Sequence, residues 1–322
     1  MDLFKLFKEQ ITGKNISVVF PEGNDERILR AAVRLKADNL LNPVLLGNQA
    51  EIENKATELS LSLEGLSILD PQNYDEFDSM VEAFLERRKG KETREQAEEM
   101  LKTVSYFGTM LVYMNKVDIM VSGAVHSTAE TVRSALQIVK TRPGISRISG
   151  AFIMQKGDER YIFADSAISI NPTDKELAEV AVLSAETAKM AGLEPKVGML
   201  SFSTKGSANS EEVQKVQRAT KIAQEMAPDL DIDGEFQFDA AFVPSVGESK
   251  AKGSKVAGHV NVFVFPELQS GNIGYKIAQR MGGYEAVGPI LQGLNQPISD
   301  LSRGANEEDV YKTAILTAAQ SL

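Results

Sequence analysis

Short apolar runs of strand length alternate with stretches of helical period along most of this chain, and few folds satisfy that alternation. NISVVF (15–20) precedes a segment from about Asp25 in which Ile28, Ala31, Ala32 and Leu35 share one helical face. PVLLG (43–47), EIENKATELS (51–60) and LSILD (66–70) repeat the theme, and DIMVSGA (118–124) runs into a further helix. Buried strands joined by helical crossovers require a parallel sheet covered on both faces, with ligands favoured at the carboxyl ends of its strands. The expected class is α/β: two domains with mainly parallel sheets flanked by helices.

Residues 75 to 115 break the rhythm with two or three consecutive helices, separated by the charged stretch RRKGKETRE (87–95). After TRPG (141–144) the pattern changes to AFIM (151–154) and RYIFAD (160–165), an antiparallel hairpin, so a boundary near residue 145 is expected. KVGMLSF (196–202), VNVFVFP (260–266) and AVGPILQG (286–293) read as later strands. Helices are expected after Thr173, with Glu176 at the third helical position, from about Ser210, and following Gly271. A last helix near 307 to 321 aligns Val310, Ala314, Ile315 and Ala318 and is assigned back to the first domain. The expected organisation is therefore 1–145 plus 300–322 as one domain and 146–299 as the other, with a cleft between them.

Composition narrows the function. A net charge of −10 disfavours a nucleic-acid or anionic-membrane partner, although a local basic pocket can still hold a polyanionic metabolite. The absence of cysteine excludes disulfides, thiolate metal sites and a cysteine nucleophile. With only His126 and His259, no metal site is expected, and a Ser-His-Asp triad would depend on one of them. The start, MDLFKLFKEQITGK, reads as an amphipathic helix rather than a signal peptide, and no run approaches the roughly 20 apolar residues of a membrane span. The expectation is a cytoplasmic protein acting on small molecules.

The densest chemistry lies in DLSRGANEEDV (300–310). Ser302 offers a hydroxyl, Arg303 a planar fork suited to phosphate or carboxylate, and Gly304 a backbone free to turn sharply. A structural reading stands beside the catalytic one: Asn306 is a good N-cap, Asp309 sits at the capping-box position, and Glu307 and Glu308 suit the helix dipole. In SGAVHSTAETVRSALQIV (122–139), Ser127 and Glu130 begin a helix whose core face would be Val132, Ala135, Leu136 and Val139. That leaves Arg133 as either a solvated arginine or an anion clamp. SFSTKGSA (201–208) suits an anion-binding turn but lacks P-loop spacing, and FPEGNDE (20–26) lacks a dinucleotide fingerprint. His126 has no nucleophile paired with it, and Asp231 and Asp233 read as a solvated turn.

FPEGNDERIL, the run from SGAVHSTAETVR through KTRPG, FADSA, MLSFSTKGSA, DGEFQFDAAFVPSVGESKA, VNVFVFPELQSGNIGYKIAQR and GPILQGLNQPISDLSRGANEEDV together resemble the bacterial phosphate acetyltransferases. The resemblance covers nearly the whole chain. It implies reversible acetyl transfer between coenzyme A and phosphate, an isocitrate/isopropylmalate dehydrogenase-like pair of domains, a homodimer, and CoA or acetyl-CoA as substrate with no bound cofactor. It further implies Asp309 as general base toward the CoA thiol in a direct ternary-complex transfer. Ser302 would support the reacting carbonyl, and Arg303 would hold the phosphate. By the same resemblance Arg133, Ser127 and Thr128 contact substrate. Arg87, with Arg88 as the alternative, meets the CoA phosphates, while Asn272, Tyr275 and Lys276 act from the second domain. Ser166 stands where some members carry cysteine, which removes any thiol role there. Three other readings are a butyryl-preferring acyltransferase, a non-catalytic acetyl-CoA sensor, and a metal-dependent decarboxylating dehydrogenase on a similar fold.

Overall fold

The structure, a computed structural model, describes residues 2–322. Two compact units divide the chain: an N-terminal unit of Leu3–Lys140 with Leu294–Leu322, and a central unit of Thr141–Gly293. The N-terminal unit starts with α1 (Leu3–Ile11), β1 (Ser17–Phe20), α2 (Glu26–Ala37), β2 (Asn42–Leu46), α3 (Gln49–Glu58) and β3 (Ser67–Leu69). Three helices follow, α4 (Phe77–Arg88), α5 (Arg94–Leu101) and α6 (Val104–Tyr113), then β4 (Ile119–Ser122) and α7 (Thr128–Ile138). The central unit holds β5 (Ser149–Lys156), β6 (Glu159–Ala164), α8 (Asp174–Met190), β7 (Lys196–Leu200), α9 (Glu211–Met226) and β8 (Asp231–Phe236). It continues through α10 (Phe238–Phe242), α11 (Pro244–Lys250), β9 (Val262–Val264), α12 (Leu268–Arg280) and β10 (Glu285–Gln292). The chain then rejoins the first unit as β11 (Ile298–Asp300) and α13 (Glu307–Gln320).

The N-terminal sheet is parallel throughout, in the order β11-β4-β1-β2-β3. Its middle strands are apolar because helices cover both faces: Val18, Val19, Phe20, Ile119, Met120 and Val121 are fully buried. The helical face read from the sequence is the buried face of α2, with Ile28, Ala31, Ala32 and Leu35 inaccessible to solvent. The last helix, α13, packs on α1, α2 and β4. Its buried Val310, Ala314, Ile315 and Ala318 are the residues whose periodicity marked it.

The central sheet is mixed, in the order β10-β5-β6-β9-β7-β8. β5 pairs antiparallel with both β6 and β10, while β6, β9, β7 and β8 run parallel. Three local expectations need correction. Asp231 and Asp233 belong to strand β8 rather than a turn, paired with Lys196 and Gly198 at the sheet edge, where polar side chains reach solvent. The helix expected after Gly271 begins earlier, at Leu268, because the Glu267 carboxylate accepts from the Gln269 and Ser270 amides. In α7 the buried face is Thr131, Ser134, Ala135 and Ile138, and Leu136 is exposed. Hydroxyl pairing explains the rotation: Thr109 Oγ1 donates to Ser134 Oγ at 2.9 Å, and Thr131 Oγ1 donates to Ser122 Oγ at 3.3 Å. Small polar side chains that satisfy one another are buried in preference to a larger apolar one.

Glycine inside α12 has a steric cause. A Cβ at Gly271 would lie 2.1 Å from the Asp165 carbonyl oxygen, so the helix can approach the end of β6 only without a side chain there. Gly271→Ala is therefore expected to cost about 1–3 kcal/mol through forced displacement of α12. Urea unfolding measures it, and an unchanged midpoint would contradict this account of the contact.

Candidate active site

Neighbouring strands β11, β4 and β1 deliver three loops to the same edge of the N-terminal sheet, because parallel strands end on one side. The loop after β1 carries Glu22, the loop after β4 enters α7 through Gly123–Ser127, and the loop after β11 carries Ser302 and Arg303. Direct hydrogen bonds bind the three together. The Leu301 amide donates to the Ser122 carbonyl at 2.7 Å, extending the β11–β4 register beyond its last pair.

Glu22 is almost fully buried. Its Oε1 accepts from the Gly123 amide and from His126 Nδ1, each at 2.8 Å. Burial pushes the Glu22 carboxyl upward, but the His126 and Gly123 hydrogen bonds and the imidazolium charge outweigh it, so its pKa lies below the usual value. The hydrogen bond and charge of Glu22 raise His126 in turn, against partial desolvation. His126 thus acts as the partner of a buried carboxylate.

Asp300 closes the second contact. Its Oδ2 accepts from the Thr128 hydroxyl at the mouth of α7, and its Oδ1 is buried without a protein partner. Burial raises the pKa of Asp300, and the nearby Glu22 charge adds to that, while the threonine hydroxyls oppose it. Gly123 makes room: its φ is +111°, and a Cβ there would lie 2.6 Å from both Asp300 Oδ1 and the Leu301 carbonyl oxygen. Only glycine fits between the two loops.

Arg27, unmarked in the sequence reading, joins all three segments. Nη1 donates to the Arg303 and Ala305 carbonyls at 2.9 Å, Nη2 to the Ala124 carbonyl at 2.8 Å, and Nε to Asp25 Oδ1 at 2.9 Å. One signal was available. A cation in the first turn of a helix opposes the dipole, and here the N-cap Asp25 neutralises it through an ion pair at 2.8 Å. Arg34, two turns further along α2, pairs with Glu308 and lies 3.8 Å above the Tyr311 ring, so the start of α13 is held from α2 as well.

Ser302, Arg303 and Asp309 are exposed on the turn into α13. The capping box is formed: the Asp309 amide donates to Asn306 Oδ1, and Asp309 Oδ2 accepts from the Asn306 amide, both at 2.9 Å. Ser302 Oγ accepts from the Gly304 amide at 3.2 Å. At the mouth of α7, Ser127 completes its own box with Glu130, donating to Oε2 at 2.8 Å, and Arg133 stands exposed one and a half turns along.

Arg87 lies at the far end of the same helix. It donates to the Ile138 carbonyl and, at 2.9 Å, to the Val139 carbonyl. Since α7 has 11 residues, its two ends are about 16 Å apart. Arg88 pairs with Glu92 at 2.7 Å. Asn272, Tyr275 and Lys276 belong to α12 of the central unit: Asn272 Nδ2 donates to the Ser166 carbonyl at 3.2 Å, Tyr275 stacks on Phe152 at 4.2 Å, and Lys276 lies 5.8 Å from the Tyr275 ring centre. Ser166 itself is fully buried.

Such loops at the carboxyl edge of a parallel sheet are where α/β enzymes bind small anionic substrates. The family described as Phosphate acetyl/butaryl transferase matches residues 2–318, and the chain belongs to it. The phosphate acetyltransferase of Bacillus subtilis (strain 168) is 60% identical over 321 residues, covering 100% of this chain and 99% of the relative. Among solved structures, a phosphotransacetylase from Streptococcus pyogenes is 58% identical with a TM-score of 0.98, covering 100% of this chain and 99% of that one. A phosphotransacetylase from Staphylococcus aureus is 55% identical with a TM-score of 0.96, covering 100% and 98%.

The Glu22–His126 pair sets a pH signature. The His126 contribution is complete below its ordinary value of 6.5 and is lost as pH rises through the elevated folded value. The Glu22 contribution is complete above its ordinary 4.5 and is lost as pH falls through the lowered folded value. The stability gap between the native chain and His126→Asn should therefore be widest between those two values and narrow on the alkaline side. Urea unfolding across pH measures it, and a gap that widens toward alkaline pH would sink the ion-pair assignment.

Proposed function

We propose that the chain is a phosphate acetyltransferase that interconverts acetyl-CoA plus phosphate with acetyl phosphate plus CoA. The observation that carries this reading is full-length identity of 60% to a phosphate acetyltransferase. The linked β1, β4 and β11 loops provide a suitable place for the chemistry.

In the proposed mechanism Asp309 takes the proton of the CoA thiol while the thiolate attacks the carbonyl carbon of acetyl phosphate. The C–O bond to phosphate then breaks. Asp309 Oδ2 is engaged by the Asn306 amide, whereas Oδ1 accepts no hydrogen bond among the described residues and is the oxygen available to the thiol. A thiol with a pKa near 8.5 is a weak acid toward a carboxylate, which favours proton transfer concerted with attack over a prior ionisation. Ser302 would hydrogen-bond the oxygen on which charge develops, and Arg303 would hold the leaving phosphate. The Arg303 carbonyl is held by Arg27 and the preceding Leu301 amide by Ser122 at the end of β4, which limits the motion of the Ser302–Arg303 turn relative to α7. Ser127 and Thr128 stand at the positive end of α7, which favours phosphate, and their hydroxyls would turn to it from the Glu130 and Asp300 carboxylates.

Arg133 would bind substrate from the exposed face of α7, and the Arg87 end of that helix, where basic residues gather, suits the CoA phosphates. Because Arg87 is already bonded to two carbonyls, it contributes there chiefly as charge. Asn272, Tyr275 and Lys276 are proposed to act from the central unit. Acyl transfer involves no net oxidation, so no redox group is assigned. Among the described residues no cluster of three or more His, Asp or Glu is arranged to hold a metal. No helix among them is long and apolar enough to cross a membrane. As a catalyst of CoA thioester chemistry, the protein is placed in the cytoplasm.

A homodimer is part of the same proposal. Ile273, Ile277 and Met281 follow a four-residue spacing along one side of α12 and are 56%, 52% and 85% exposed, an apolar stripe fit for a second copy. Ile277→Glu should shift the mass measured by light scattering toward a monomer; an unaltered dimer would place the interface elsewhere.

Phosphate-dependent release of CoA should be rapid from acetyl-CoA and slower from butyryl-CoA. Asp309→Asn is expected to lower kcat by roughly a hundredfold or more with little change in KM, in line with the range for a general base. Arg133→Ala should raise KM at least as much as it lowers kcat. Full activity in both variants would remove the site, and acetyl-CoA binding without turnover in the native chain would favour a sensor.

A further inference from the structure

The C-terminal end of α7, assigned above to the CoA phosphates, gathers cations around a lysine to which the reaction gives no role. Lys140 follows the helix with φ at +63°, its amide donating to the Ala135 carbonyl at 2.9 Å and its carbonyl accepting from the Asn295 amide at 3.0 Å. The two preceding carbonyls are held by Arg87, whose guanidinium lies 4.8 Å from the Tyr113 ring centre. Around the Lys140 side chain stand the charges of Arg87, Lys89, Lys91 and Arg88. The nearby carboxylate of Glu92 is taken by Arg88, and Lys89, Lys91 and Lys140 have no ion-pair partner among the described residues.

We propose that Lys140 is a site of self-acetylation, where its amine takes the acetyl group of acetyl phosphate gathered by the surrounding cations. This rests on the proposed function, since acetyl phosphate is the compound that activity makes. The ammonium first loses a proton. Its nitrogen lone pair then attacks the carbonyl carbon, the C–N bond forms, the C–O bond to phosphate breaks, and phosphate departs with the bonding pair. The products are an amide, phosphate and one proton, with no oxidant or reductant required. Two properties of the cluster favour the step. Unpaired positive charge raises the local concentration of a doubly charged acyl phosphate. Partial desolvation of Lys140, reinforced by those same cations, holds its ammonium below the usual lysine range and enlarges the fraction present as free amine.

Amide formation would also remove one charge from the end of α7 assigned to the CoA phosphates. Accumulated product would thereby weaken the hold on CoA while leaving the loops around Ser302 untouched. The position of Lys140 beyond the last turn of α7 leaves the helix core undisturbed by the modification.

The test is to incubate the full-length protein with acetyl phosphate and follow each lysine by peptide mass spectrometry. Lys140 should acetylate about tenfold faster than the exposed Lys252, with the advantage shrinking as salt rises. A neutral acetylating ester should show a smaller preference, and the double variant Lys89→Gln with Lys91→Gln should bring Lys140 toward the rate of Lys252. Equal rates at Lys140 and Lys252, or a preference unaffected by salt and by those substitutions, would overturn the proposal. Because the acetyl phosphate is added rather than made in place, the labelling result is independent of turnover. A parallel assay of CoA release shows separately whether the acetyltransferase reading stands.

Discussion

A single guanidinium holds the working edge of the N-terminal sheet together. Arg27 binds the carbonyls of Ala124, Arg303 and Ala305 and the carboxylate of Asp25, so two loops that the chain separates by about 180 residues share one donor group with the helix that carries it. Hydrogen bonds to an ionised group contribute about 1.5–3 kcal/mol each, and carbonyls left without a partner in a half-buried site incur a further cost. The planar fork matters as much as the charge. Lysine could neutralise Asp25, but its single point of donation could not span carbonyls on both loops.

The fold was largely legible because burial on both faces of a parallel sheet writes itself as continuous apolar runs, and β1, β2, β3 and β4 were read from such runs. β11 was not: ISD is three residues long and ends in a carboxylate, and only its pairing with β4 makes it a strand. β8 was missed for a related reason, since an edge strand with one solvated side keeps acids such as Asp231. The exposed face of α7 was misjudged because hydropathy ranks Leu136 above Ser134, while the hydroxyl pairing that buries Ser134 involves Thr109, a residue on another helix.

The candidate site divides along the same line. Caps are local, so the boxes at Ser127–Glu130 and Asn306–Asp309 were readable from spacing alone. Arg27, Glu22 and Asp300 act through contacts across long sequence separations, and no short motif announces them. The capping box and the proposed catalytic base also draw on one carboxylate: Oδ2 of Asp309 holds the helix start while Oδ1 faces none of the described donors. Structural and chemical readings of that aspartate are therefore compatible.

The N-terminal sheet is completed by residues from both ends of the chain, with the 153 residues of Thr141–Gly293 between them. During synthesis the central unit is whole as soon as Gly293 emerges, whereas β4 lacks its outer neighbour until Ile298–Asp300 has followed it out of the ribosome. Until then β4 presents an unpaired apolar edge, and the loops that carry Glu22 and Gly123 lack Asp300 and the carbonyls of Arg303 and Ala305. Assembly of the working edge thus follows completion of the central unit, and a nascent chain that had reached only Gly293 would hold a finished central unit and an N-terminal sheet one strand short.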